Sequence, residues 1–149
     1  MLNLSGPLPT VSQIKTRQAA RSGTDTSDCT VRAIAATCDI SYQDAYLFMA
    51  KHGRQVNRGF VIEPFLEGDA LAELGYEARK ISHVPGTVRY APVDYPYGAF
   101  ILLTHRHAIG MVHGTVYDWT AGRLHRIKAV YHVQPLNTQP LKLNLELKL

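Results

Sequence analysis

The sequence contains 149 residues, of which 46% are hydrophobic and 19% are charged, the balance of one ordinary globular domain. This balance excludes a disordered chain, a coiled coil and a collagen-like repeat. The formal net charge is +4, from 16 Lys and Arg against 12 Asp and Glu, and the basic residues are not interleaved with aromatic ones, so a nucleic-acid partner is not expected.

The start of the chain and its cysteine content indicate a cellular compartment. The first seven residues lack the basic region and apolar run of a signal peptide, and the sequence has no run of about 18 apolar residues. Two cysteines cannot form a disulfide framework. We therefore expect a protein of a reducing cytoplasm, without a membrane partner.

The two ends of the chain differ in composition from its middle. Residues 1–26 are rich in Ser, Thr, Gly, Pro and Gln, and they are predicted to be an extended N-terminal arm. Residues 27–134 carry the periodic elements of a folded domain. Residues 135–149 are predicted to be a linker, containing Pro135 and Pro140, followed by a C-terminal strand.

The first predicted helix begins at Ser27 and Asp28, which are both favourable N-cap residues. It continues to Cys38, and its apolar residues fall on two faces. The larger face carries Val31, Ile34, Ala35 and Cys38, and the opposite, smaller face carries Cys29, Ala33 and Ala36. Two apolar faces predict a central helix between layers, which the alanines allow another element to approach closely.

Two more helices and five strands are predicted after it. The second helix begins at Ser41, where the sequence resembles a capping box, and ends near His52. The third covers Pro64–Leu74, and Gly75 follows as its C-cap. From Tyr76 the apolar period changes to two, and the predicted strands are Tyr76–Ile81, Ala99–Leu103, Ala108–Val112, Thr115–Trp119 and Ala129–Val133.

Helices followed by strands predict an α+β domain. Its N-terminal helices, with the Cys29 helix at the centre, are expected to pack on one face of a C-terminal antiparallel sheet. Between the third helix and the second half of the sheet lies Ser82–Gly98, which is rich in Pro, Tyr and Gly and is predicted to be a loop at the edge of a binding groove. Its tyrosines either contact a ligand or pack on the loop's own core.

The last nine residues, Leu141–Leu149, alternate leucines with polar residues, which is typical of a half-buried strand. Five leucines on one face are too apolar to remain in water. We therefore expect this strand to pair with a sheet edge, either of its own domain or of a partner subunit. In the second case, Leu141–Leu149 would bind another copy of this chain or a different protein partner.

Cys29 stands in the first turn of the first predicted helix. The positive end of the helix dipole and the unpaired backbone N–H groups there stabilise a thiolate. A free cysteine is also among the residues most often buried as small hydrophobes. Whether Cys29 is an activated thiol or a core residue therefore depends on which other side chains lie near it.

A predicted hairpin supplies such groups. With His113-Gly114 as its two-residue turn, His107 and Asp118 lie on one face of the sheet as diagonal neighbours, about 7 to 8 Å apart at Cα. This spacing allows the carboxylate of Asp118 to orient the imidazole of His107. An imidazole oriented in this way is a base for a nucleophilic thiol.

Three segments together resemble the papain-like cysteine peptidases. They are Asp28–Ala35 around the cysteine, Phe100–Leu102 before the histidine, and His107–Asp118. A Cys on the leading helix, a His at the start of a later strand and an Asp on the next strand follow one another in that superfamily. The similarity covers roughly residues 25 to 133 and points to compact bacteriocin-processing peptidases and small papain-like proteins encoded by bacteriophages.

The resemblance implies a papain-like α+β fold in which Cys29 is the nucleophile, His107 the base and Asp118 the orienting acid. It implies acyl transfer from a peptide, isopeptide or amide bond of a peptide or protein substrate, with no cofactor and no metal. The family also uses an oxyanion donor, usually a Gln a few residues before the Cys. Here residues 24–27 read Thr-Asp-Thr-Ser, and Gln18 is eleven residues upstream of Cys29.

Other interpretations of these residues stay open on the sequence alone. His105 is an alternative base, and His105 and His107, with His113 or Cys29, are a candidate zinc site. Cys38 is expected to be structural. A non-enzymatic papain-like scaffold, serving as a phage virion structural or host-interaction protein, is the alternative to an enzyme, because a fold alone does not determine activity.

Overall fold

The computed structural model of the protein describes residues 25–83 and 85–136. Its helices are α1 (Cys29–Thr37), α2 (Tyr42–Lys51), α3 (Ile62–Glu67) and α4 (Ala91–Asp94), with 3-10 turns at Ala70–Leu74 and Val88–Tyr90. Its strands are β1 (Tyr76–Ile81), β2 (Ala99–Thr104), β3 (His107–Val112), β4 (Thr115–Val116) and β5 (Ala129–Pro135). Among these residues, no helix combines the length and apolar character needed to cross a membrane.

The five strands form one antiparallel sheet in the order β1-β5-β2-β3-β4. The predicted α+β class, with helices packed on an antiparallel sheet, is confirmed. The predicted C-terminal strand Leu141–Leu149 and most of the predicted N-terminal arm lie outside the described residues. Asp25 and Thr26, at the end of that arm, bond to residues of the domain.

Both faces of the sheet are covered, because side chains alternate along the buried strands. On β2, Ile101 packs with the helices, whereas Leu102 packs on the opposite face. The second face is closed by Val88 and Ala91, which are fully buried. The predicted loop Ser82–Gly98 therefore contains helical turns, at Val88–Tyr90 and Ala91–Asp94, that cover this face. The prediction places helices on the other face alone.

The second helix has its predicted bounds, whereas the third does not. The second begins and ends as expected, since Ser41 Oγ accepts a hydrogen bond from Asp44 N–H at 3.0 Å and Gly53 follows at a φ of 104°. The predicted third helix, Pro64–Leu74, is wrong as one element. Gly68 ends α3 after Glu67, and a 3-10 turn takes over, because glycine favours leaving a helix.

The hairpin after His107 has the predicted turn, but its second strand is shorter. His113 and Gly114 both have positive φ, at 48° and 78°, and Val112 pairs with Thr115 as expected. β4 ends at Val116 instead of continuing to Trp119. Asp118 therefore does not lie on a strand, contrary to the prediction, and it reaches His107 from the bend that follows.

The small face of α1 is where β3 approaches. A Cβ atom built on Gly110 of β3 would lie 3.0 Å from Ala36 Cβ and 3.3 Å from Ala33 Cα. Only glycine on the strand and alanine on the helix permit this separation. The contact confirms that α1 is the central helix, and it fixes the helix against the strand that begins with His107.

We expect the Gly110→Ala variant to lower the free energy of unfolding by about 1–3 kcal/mol, because the added methyl group overpacks the contact with α1. Chemical denaturation followed by circular dichroism measures the change. Gly59→Ala is the matched control, since a Cβ there meets nothing within 4 Å. Equal stabilities of the two variants would contradict a tight contact at Gly110.

Candidate active site

Cys29 is the first residue of α1, and its side chain is partly buried between that helix and the start of β3. The imidazole of His107 and the backbone N–H of Ala108 lie close enough to the thiol to lower its pKa. Cys29 and Ala108 are brought together because α1 packs along β3. The sulfur thus lies at the edge of the apolar core, beside polar groups that favour its charged form.

His107 begins β3, one residue after the turn that joins it to β2. Its Nε2 lies 2.8 Å from Asp118 Oδ2, and the thiol of Cys29 lies beside the same imidazole. The structure brings together Cys29, His107 and Asp118, the three residues that the sequence analysis selects.

Asp118 is held in place by the residues that follow it. Its Oδ2 accepts hydrogen bonds from the hydroxyl of Thr120 at 2.6 Å and from the backbone N–H of Thr120 at 3.1 Å. Thr120 itself is fully buried. This local turn replaces the strand that was predicted there, and it fixes the carboxylate without a sheet partner.

Arg32 connects Asp118 to the start of α1. Its Nη1 lies 3.4 Å from Asp118 Oδ1, and its Nε lies 3.2 Å from Asp28 Oδ1. The other oxygen of Asp28 accepts a hydrogen bond from the Tyr42 hydroxyl at 2.8 Å. Sequence reasoning missed this network, although the i, i+4 spacing of Asp28 and Arg32 on one helix indicates an ion pair.

These contacts shift the ionisation of the pair in opposite directions. Burial opposes the charged form of the Cys29 thiol, but the hydrogen bonds from His107 and Ala108 outweigh it, so its pKa is lowered. Burial also disfavours the imidazolium, yet the bonds with Asp118 and Cys29 raise the pKa of His107 to about 9. The geometry therefore favours a thiolate next to an imidazolium at neutral pH.

Trp119 packs beside the imidazole of His107. Its ring centroid lies 5.5 Å from that of His107, while 57% of the residue remains exposed. Arg123 lies over the indole at 5.5 Å, and His125 meets the ring edge-on. The indole thereby limits the access of water to one side of the imidazole.

The positions of the other His and Cys side chains bear on the alternatives of a His105 base and a zinc site. His105 is exposed in the turn before β3, away from the bonds that hold His107. No group of three or more His, Cys, Asp or Glu side chains in the described ranges is arranged to hold a metal ion. Cys38 is buried on the other face of α1, and burial raises the pKa of its thiol to about 12.

The segment before Cys29 is anchored by a buried ion pair. Arg54 donates to both carboxylate oxygens of Asp25, at 3.0 and 2.7 Å, and to the backbone oxygen of Ser27 at 2.8 Å. The Arg54 guanidinium holds the pKa of the Asp25 carboxyl below its usual range. Gln18 lies outside the described residues, and residues 25–27 place no Gln beside the thiol.

The first turn of α1 keeps backbone N–H groups free of a side-chain cap. Asp28 precedes the helix, but its side chain does not cap it, because both oxygens are bound to Arg32 and Tyr42. Four N–H groups at a helix start have no intrahelical acceptor. The uncapped backbone N–H of Cys29 is therefore a candidate donor to the oxyanion that forms on a substrate carbonyl attacked by the sulfur.

A cavity of about 480 Å³ opens beside the thiol. Cys29 and His107 form one end of it, and Thr30 lies next to them. Its wall continues across α3 and the ends of the central strands, where Ile62 and Leu103 supply buried apolar surface. A group attached to the sulfur therefore has room on the side away from Asp118 and Trp119.

We expect iodoacetamide to alkylate Cys29 near pH 7 much faster than Cys38, and the rate at Cys29 to rise with an inflection below the ordinary thiol pKa of about 8.5. The profile is expected to shift to lower pH because the pKa of Cys29 is lowered, so that its thiolate is already present at pH values where a free thiol is protonated. Peptide mapping by mass spectrometry across a pH series measures both rates.

His107→Ala is expected to move the Cys29 inflection upward, because it removes the bond that stabilises the thiolate. His105→Ala is the matched control and should leave the profile unchanged. A Cys29 profile that ignores His107, or that follows His105, would overturn the assignment of His107.

Arg54→Ala is expected to lower the free energy of unfolding by about 3 kcal/mol, because it leaves the Asp25 carboxylate buried without a partner. Arg58→Ala, at an exposed position nearby, serves as the control. The lowered pKa of Asp25 also means that the contribution of the pair is present at neutral pH and is lost as the pH falls through that pKa. Urea denaturation at neutral and acidic pH tests both statements.

Comparisons with known proteins found no relative of this chain. The chain matches no protein-family model, no curated protein and no solved structure. A functional interpretation therefore depends on the chemistry of the side chains around Cys29 and on their geometry.

Proposed function

We propose that the protein is a papain-like cysteine hydrolase or related acyl-transfer enzyme, which acts on a peptide, isopeptide or amide bond. Cys29 is the nucleophile, His107 is the acid and base, and Asp118 is a positioning residue. The observation that carries the proposal is the His107 imidazole, which bonds to Asp118 with 2.8 Å between Nε2 and Oδ2 and lies beside the Cys29 thiol. A cysteine that serves only in packing needs no such chain of partners.

The reaction begins with the thiolate of Cys29 attacking the carbonyl carbon of the substrate. A carbon–sulfur bond forms and the carbon–nitrogen bond breaks, while the imidazolium of His107 gives its proton to the departing amine. Water then attacks the thioester and passes a proton to His107. The sulfur leaves as a thiolate, and the original ion pair is restored.

Asp118 and Arg32 set the charge balance of these steps. The carboxylate of Asp118 orients the ring and stabilises the imidazolium. Arg32 partly neutralises Asp118, since its guanidinium bridges that carboxylate and Asp28. With this charge balance, His107 holds a proton and so leaves Cys29 as a thiolate, yet it can still give that proton to the departing amine.

Acyl transfer to Cys29 can be tested without knowledge of the natural substrate. We expect p-nitrophenyl acetate to acetylate Cys29, with a burst of p-nitrophenolate and a mass gain of one acetyl group on the Cys29 peptide. Cys29→Ala should abolish the burst, and Cys38→Ala should leave it intact. Acetylation of Cys29 no faster than that of Cys38 would favour the non-enzymatic scaffold.

Two substitutions at Asp118 separate orientation from charge. Asp118→Ala is expected to slow acetylation by about a hundredfold or more, because the imidazole loses its partner and counterion. Asp118→Asn retains a group that can orient the ring and should retain more activity. Its upper pH limit is expected to shift downward, since the carboxylate is what raises the pKa of His107. Burst rates as a function of pH measure both effects.

The control for this pair is Asp69→Asn at an exposed carboxylate outside the site, and it should behave as the wild type. Circular dichroism confirms that each variant is folded. A wild-type rate and pH profile in both Asp118 variants would show that the residue has no part in the reaction. A peptide library analysed by mass spectrometry then identifies the bond that is cleaved.

A further inference from the structure

The cavity beside Cys29 has a buried apolar interior and a charged rim. Ile62, Leu103 and Ala129 line the interior and are almost fully buried. The rim carries exposed lysine and arginine side chains from three separate parts of the fold, together with one glutamate. These rim residues are Lys80, Arg106, Lys128 and Glu63.

Among the described residues, the three basic side chains of the rim have no carboxylate partner. Within residues 25–83 and 85–136, neither they nor Glu63 takes part in an ion pair or a side-chain hydrogen bond. The lining therefore presents three cations and one anion to the contents of the cavity. Exposed charges of one sign around a concave surface attract a ligand of the opposite sign.

Arg106 supports this interpretation through its backbone. It occupies the turn between β2 and β3 at a φ of 55°, a conformation that favours glycine or asparagine. A long basic side chain is thus held at a left-handed position directly before His107. Packing within the protein does not require an arginine at this position, because the residue is exposed. A contact between its guanidinium and a ligand would explain why arginine occupies the turn.

The side chain of Thr30 is a second, independent observation that favours a ligand in the cavity. It lies next to Cys29 on α1, it is 2% exposed, and it lines the cavity. Its buried hydroxyl has no hydrogen-bond partner among the described residues. An unpaired buried hydroxyl is costly, and a polar atom of a bound ligand would satisfy it.

We propose that this cavity binds the acyl side of the substrate, and that the acyl side is acidic: an apolar stem that ends in a carboxylate, as in a glutamyl side chain. The proposal rests on the proposed acyl transfer at Cys29. The acyl group is the part of the substrate that stays bonded to the sulfur after the amine leaves, and the cavity is the space that Cys29 itself lines. The stem contacts the apolar interior, and the carboxylate meets the basic rim.

Peptidyl chloromethyl ketones test the proposal, because the sulfur displaces chloride and forms a stable carbon–sulfur bond only after the peptide has bound. The probes are acetyl-Xaa chloromethyl ketone and acetyl-Xaa-glycyl chloromethyl ketone, with Glu, Gln, Leu or Lys as Xaa. Glu and Gln have nearly the same shape and differ in charge. We expect the Glu probe to label Cys29 about tenfold faster than the Gln probe in at least one series, and faster still than the Lys probe, since each exposed ion pair contributes up to about fivefold.

The combined variant Lys80→Gln, Arg106→Gln and Lys128→Gln should bring the ratio of Glu to Gln labelling close to one, and this ratio is independent of any change common to both rates. Arg79→Gln is the matched control, because Arg79 is an exposed cation on the same strand as Lys80 but its side chain points to the other face of the sheet. Higher ionic strength should reduce the ratio in the wild type, as exposed charges are screened.

Failure of this proposal and failure of the proposed function give different results. Rapid labelling of Cys29 with equal rates for Glu and Gln, or a preference for Lys, would overturn the acidic specificity and leave the acyl transfer standing. Labelling of Cys29 no faster than Cys38 with every probe would overturn both. A preference for Glu that survives in the triple variant would show that other groups select the charge.

Discussion

Gly110 lets β3 lie directly against the alanines of α1, and this contact fixes two side chains that are far apart in the sequence. Cys29 stands one turn before Ala33 on the helix, and His107 stands three residues before Gly110 on the strand. Any increase in the separation between helix and strand would draw the thiol away from the imidazole. The small residues are thus a requirement of the site as well as of the core.

A second constraint acts through charge. Asp118, Arg32 and Asp28 form a continuous line of ionic contacts from the back of His107 to the start of α1. The same line occupies the side chain that would otherwise cap the helix. Cys29 therefore begins a helix without a side-chain cap, and the same carboxylate that orients the imidazole is tied through Arg32 to the start of that helix.

The sequence predicts the fold class, the turn at His113 and the grouping of Cys29, His107 and Asp118, because periodicity, cap residues and turn residues are local signals. It does not predict how Asp118 reaches His107. Strand periodicity extends β4 to Trp119, whereas hydrogen bonds from Thr120 end it at Val116. The buried pair of Asp25 and Arg54 also escapes prediction, since its partners are 29 residues apart and neither belongs to a periodic pattern.

The position of the indole gives the site a natural optical reporter. Trp119 is the one tryptophan of the chain, and its ring packs against His107. A protonated imidazole quenches indole fluorescence more strongly than a neutral one. Emission from the unlabelled protein should therefore follow the protonation of His107. Replacing His125 removes the other histidine at the indole, so that the remaining change in emission reports on His107 alone.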